Sequence, residues 1–195
     1  MKRFVLLCLL CALPGRVFAQ PEPASIEVRG AFGIANYLHG DLGYTAPTWL
    51  AAIRFGMGPL AIEPEFAAAS HETRQMFGPA PGSPQGTVTI AIDRYRSAAV
   101  NVLGRFGRSV SGYAGGGPGM YWEPSEYRVE AGPNSYEQNR TRGPRLGAQL
   151  VAGLDVPIGW RIKAFGQFRY EVRSLQDPGG GSVIQGLGGA AIVLR

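Results

Sequence analysis

Residues 160–173 alternate with period two almost end to end: Trp160, Ile162, Ala164, Gly166, Phe168, Tyr170 and Val172 on one parity, Arg161, Lys163, Phe165, Gln167, Arg169, Glu171 and Arg173 on the other. Successive side chains of a strand point to opposite faces, so this segment predicts a β-strand with one nearly pure apolar face and one face dense in charge. A water-soluble sandwich hides the apolar face and solvates the charged one. A barrel that crosses a membrane reverses the two. The alternation fits both, so repetition and connection lengths have to decide.

The alternation recurs. Residues 25–35, 48–56, 60–70, 87–106, 110–122, 143–155, 160–173 and 183–195 read as eight strands. Segment 60–70 contains Pro64, which cannot donate to a ladder and predicts a bulge there. In 87–106 the parity is broken only by Arg94 and Arg96, which predicts one long strand running past the bilayer. Five glycines leave the facing of 110–122 ambiguous, although Tyr113 and Tyr121 share a parity. The connections alternate between long and short: 12, 3, 16, 3, 20, 4 and 8 residues. Long polar loops at one end and tight turns such as Met57-Gly58-Pro59 at the other are the rhythm of an up-and-down transmembrane β-barrel. The predicted fold class is all-β, an eight-stranded antiparallel barrel, and each strand has the roughly 9–11 residues needed to cross at a tilt. The polar connections 71–86 and 123–142, rich in Gly, Pro and charge, are expected to be external and mobile.

Residues 1–19 read as a secretory signal peptide: Lys2 and Arg3, an apolar run over 4–13, and Ala19 before Gln20. The barrel domain is then 20–195. Both cysteines, Cys8 and Cys11, fall within the signal, which excludes disulfides and thiolate chemistry from the remainder. Loss of Lys2, Arg3 and Arg16 lowers the net charge from +5 to +2, so the basic balance does not imply nucleic-acid binding.

If the apolar parity faces lipid, the lumen receives Glu27, Arg29, Arg54, Glu63, Glu65, Arg145, Arg161, Lys163, Arg169 and Glu171. Gln149, Gln167 and Arg173 share that face. An eight-stranded barrel has an interior just wide enough for side chains, so these groups should pair across it and close it. The bases on this tally outnumber the acids, which calls for trapped water beside the ion pairs. Trp49, Tyr95, Tyr121, Trp122 and Trp160 lie near strand ends, where interfacial aromatic girdles sit.

Little in the chain suggests catalysis. Ser70-His71-Glu72 places a hydroxyl beside an imidazole, but neighbours in an extended segment point apart. His39 and His71 have no metal-ligand spacing. Gly115 to Gly119 are followed by no Lys-Ser/Thr and no helix, so they are not a phosphate loop. Asn139-Arg140-Thr141 reads as ordinary polar loop. No catalytic, cofactor-binding or metal site is assigned, and no cofactor is expected.

Four stretches carry a family resemblance: Ile62-Glu63-Pro64-Glu65-Phe66, residues 99–106, residues 113–119, and the Arg/Lys-alternating seventh strand. On these the chain resembles the small eight-stranded outer-membrane barrels of the OmpA/OmpX type, over residues 25–195. The chain departs from the family's terminal pattern, ending Ile192-Val193-Leu194-Arg195 where such barrels carry Phe or Trp. The resemblance implies location in the bacterial outer membrane, contact with its lipid, a monomer, and a non-enzymatic structural or surface-interaction role through the external loops. The alternatives are a lipid A-modifying enzyme, a small pore, and a soluble periplasmic barrel holding an apolar ligand.

Overall fold

The computed structural model describes residues 24–38, 44–77, 87–107, 110–131, 134–175 and 181–194. The expected signal peptide, most of the turn at 107–109 and the tips of the long connections lie outside these.

Eight strands follow in order: β1 (Ser25–Leu38), β2 (Tyr44–Met57), β3 (Leu60–Phe77), β4 (Thr87–Gly107), β5 (Ser111–Ala131), β6 (Asn134–Pro157), β7 (Ile162–Val172) and β8 (Ser182–Val193). Each pairs antiparallel with its neighbours in sequence. β1 closes on β8 through Glu27↔Val193 to Leu38↔Ser182, so the sheet is a closed barrel. Closure leaves no unpaired edge within the barrel, as a lipid environment requires.

The two faces of the wall sort as the alternation predicts for a membrane barrel. Val28, Phe32, Ile53, Ile62, Val102, Leu150, Phe168 and Ile192 are exposed on the outside, while Glu27, Arg29, Arg54, Glu63, Arg169 and Glu171 are fully buried within. In water this arrangement would expose a continuous apolar belt and desolvate charge, both costly. In lipid both faces match their surroundings.

Four local readings are corrected. At Pro64 there is no bulge: Ala52↔Glu65 and Phe55↔Ile62 keep one register, and the β2–β3 ladder merely skips the residues between them. Pro118 interrupts the β4–β5 ladder in the same way, between Ala99↔Gly119 and Val102↔Gly116. The register shift lies instead between Tyr121 and Glu123 on β5, opposite Gly143, whose φ of 118° suits only glycine. β7 starts at Ile162, leaving Trp160 and Arg161 in the preceding turn, where Ile158 and Gly159 donate to the Ile162 carbonyl at 3.0 and 3.2 Å. Last, the connections expected at 71–86 and 123–142 are largely strand. β3 pairs with β4 up to Phe77↔Thr87, and β5 with β6 up to Ala131↔Asn134. Polar composition reported solvent on both sides of these segments, not loss of the ladder. With no core on either face there was no alternation to read.

The strands are therefore unequal: β3 to β6 have 18, 21, 21 and 24 residues, against 14, 14, 11 and 12 for β1, β2, β7 and β8. One half of the wall continues past the other as a four-stranded sheet.

Candidate functional site: the lumen and the projecting sheet

The lumen is built in levels. Nearest the tight turns, Arg29 of β1 donates to Asp155 of β6 at 2.9 and 3.3 Å and to Glu27 at 3.1 Å. Arg54 of β2 donates to Glu63 of β3 at 2.6 Å and to Asp155 at 2.8 Å. Lys163 of β7 reaches Glu27 at 2.9 Å. Two rings insulate this cluster: the Arg29 guanidinium lies 3.9 Å from the centroid of Phe165, and that of Arg54 lies 4.0 Å from the centroid of Tyr113. Stacking on an aromatic face replaces part of the hydration a guanidinium loses on burial.

One level up, Arg169 of β7 is held between Glu65 and Glu171, the latter at 3.0 Å. Gln149 binds this cluster from three sides: it accepts from Arg169 at 2.7 Å and donates to Glu65 at 2.6 Å and to Asn101 at 2.8 Å. Gln185 donates to Glu171 and accepts from Arg169, both at 3.1 Å, and Tyr95 donates to Glu171. Above, Tyr37, Tyr95 and Tyr121 stack across the bore at centroid distances of 5.7 and 6.2 Å. Arg173 pairs with Glu123 beside them.

Of the ten charges expected in the lumen, Glu27, Arg29, Arg54, Glu63, Glu65, Arg169 and Glu171 are buried there. Lys163 is half-buried at the turn end. Arg145 is half-buried toward the rim, in no ion pair among the described residues. Arg161 is the one misplaced: it is exposed outside the barrel, its guanidinium 4.1 Å from the Trp160 ring centroid. The turn takes it out of strand parity. Tyr95 and Tyr121 also depart from expectation, being buried in the bore instead of girdling the outside. Trp49, packed against Phe66 at 5.5 Å, and Trp160 do face outward.

Asp155 was on the polar parity of its strand, yet its part as the hub of the lower cluster was not foreseen. Arg105, Asn101, Tyr113 and Gln185 were missed altogether. Parity was the signal available for each of them. With Asp155 and Arg105 inside and Arg161 outside, the fully buried charges among the described residues balance: Glu27, Glu63, Glu65, Asp155 and Glu171 against Arg29, Arg54, Arg105, Arg169 and Arg173. The expected excess of bases in the lumen is corrected accordingly.

At the rim, register sets His71 of β3 opposite Asp93 of β4, and Asp93 opposite Ser125 of β5. A nucleophilic triad needs the imidazole between hydroxyl and carboxylate; here the acid is central. Ser70 is exposed on the face opposite His71.

No family model matches the chain, and no curated protein does either. Among solved structures, the attachment invasion locus protein Ail of Yersinia pestis is similar with a TM-score of 0.54 and 14% identity, covering 90% of this chain and 100% of that one. Ail in complex with the heparin analogue sucrose octasulfate gives 0.55 and 13%, covering 88% and 97%. Neisserial surface protein A gives 0.51 and 12%, covering 88% and 99%. The chain has the fold of the small eight-stranded bacterial outer-membrane barrels.

Proposed function

We propose that this chain is a non-enzymatic outer-membrane protein whose barrel anchors it and whose projecting sheet meets partners outside the cell. The observation that carries the reading is the pairing of a bore filled by compensated charge with a wall whose β3 to β6 continue beyond it. A barrel built for passage would leave room along its axis. This one spends its interior on ion pairs and a tyrosine stack, and extends its ladders past the other four strands. Surface partners are met by parts of a protein held rigidly outside, which a continuous antiparallel ladder provides better than a loose loop.

The test removes the projection without touching the anchor. Glu123 pairs with Arg142, so residues 124–141 can be replaced by an Asn-Gly turn that fits a two-residue hairpin. Cells expressing the intact or shortened chain are compared for attachment to protein-coated surfaces, with heat-modifiability on gels as the check on folding. Attachment conferred by the intact chain and lost on shortening is the expected result. Unchanged attachment, or a stable open channel from the intact protein in planar bilayers, would overturn the reading.

A further inference from the structure

The projecting sheet ends in two edges, and they differ. On β3, pairing with β2 stops at Thr48↔Ala69, but β2 runs on beside it to Tyr44, still paired to Tyr37 of β1. Little of that edge clears its neighbour. On β6, pairing with β7 begins only at Ala148↔Val172, supplemented by the Leu175 amide donating to the Leu146 carbonyl at 3.0 Å. Residues 134–145 therefore pair with β5 on one side and with no described strand on the other. Natural sheets usually blunt such an edge with bulges, prolines or charge, because its unpaired N–H and C=O groups template another strand. Here the bulge, Gly143 and Pro144 all sit at the base. Above them, residues 134–142 offer nine residues of regular edge, roughly 30 Å at 3.3 Å per residue.

Charge along that edge selects what can add. Arg140 and Arg142 occupy its lower half and Glu137 its upper half, and directly opposed side chains of neighbouring strands favour opposite signs. We propose that the free edge of β6 over residues 134–142 takes up an extended, acidic segment of a partner protein as a ninth strand. The main-chain ladder supplies affinity and the two arginines supply preference, in the manner of strand addition to an exposed sheet edge. The inference rests on the surface-interaction reading and adds to it the place and the chemistry of the partner.

The probe is a fluorescent nonapeptide of alternating threonine and glutamate, titrated by anisotropy against the full chain in lipid nanodiscs. Controls replace glutamate by lysine, or every second residue by proline. Amide groups alternate sides along a strand, so of Gln138→Pro and Asn139→Pro one removes an N–H facing β5 and the other removes one facing the open edge. The expected result is saturable binding of the acidic peptide and weak binding of both controls. One proline variant should keep the parent's urea midpoint yet bind the peptide about tenfold less, the weight of one or two ladder hydrogen bonds. Equal binding by the parent and both proline variants would overturn the proposal. So would no binding while the shortened hairpin still abolishes attachment, an outcome that leaves the broader reading standing. Concentration-dependent dimers abolished by the same edge proline would assign the edge to a second copy and likewise overturn it.

Discussion

Removing the Asp155 carboxylate should destabilise the barrel more than any other single truncation in the lower lumen. Asp155 is nearly inaccessible to solvent and accepts three hydrogen bonds, two from Arg29 and one from Arg54. In Asp155→Ala, Arg29, Arg54 and Lys163 are left to share Glu27 and Glu63, so one positive charge in the cluster has no carboxylate. Breaking a buried pair by removing one partner costs about 3–5 kcal/mol, mostly as the desolvation of the charge left behind. With a urea dependence of about 1–3 kcal/mol per molar, the midpoint in lipid vesicles should fall by roughly 1–3 M. Tryptophan fluorescence reports the transition, since Trp49 and Trp160 are exposed on the outer face. Replacing Arg29 by methionine in the Asp155→Ala background should recover part of the loss by withdrawing the stranded charge. A midpoint shift below roughly 0.5 M for Asp155→Ala, with no recovery in the double variant, would show that water compensates these charges and that the cluster does not hold the bore closed.

Four further outcomes follow from positions in the wall. Leu150→Arg, on the outer face well within β6, should cost about 2–4 kcal/mol in lipid, whereas Ile162→Arg, at the first residue of β7, should cost about 0–1 kcal/mol; equal costs in urea titrations would mean that the depth assignment is wrong. Gly117→Ala should destabilise by about 1–3 kcal/mol, because its methyl group would fall 1.8 Å from the Val100 carbonyl oxygen, while Gly166→Ala meets nothing within 4 Å and should be neutral by the same measurement. The intact protein should give no steady conductance in planar bilayers, and an open channel would contradict the filled bore. An epitope inserted between Ala131 and Asn134 should be stained by antibody on intact cells, and staining only after permeabilisation would invert the topology.

What the sequence disclosed follows what each residue type can report. Alternation needs two unlike faces, so Ile162 to Val172 were legible as strand, and so was the facing of Arg169 and Glu171. The upper parts of β3, β5 and β6 have solvent on both sides, so Arg128 and Gln138 looked like loop although they pair in a ladder. The lumen's membership could be read from parity, but its wiring could not. Asp155 is the hub because β6 stands across the bore from β1 and β2, a fact of closure and not of spacing. Arg161 and Tyr95 failed for opposite reasons: the turn at 158–161 ended parity one residue earlier than the alternation suggested, and a tyrosine near a strand end serves a lumen as well as an interface.

The wiring of the bore also bears on how the chain enters its membrane. Nearly every strong contact joins an early strand to a late one: Arg29 and Arg54 to Asp155, Glu27 to Lys163, Glu65 to Gln149 and Arg169. A nascent sheet of β1 to β3 alone would hold Glu27, Arg29 and Glu65 facing nothing that could neutralise them across the bore. Such a sheet has no stable depth in hydrocarbon. Insertion and the sealing of β1 against β8 must then be one cooperative event, with the first and last strands arriving together and no half-built wall lingering in the bilayer.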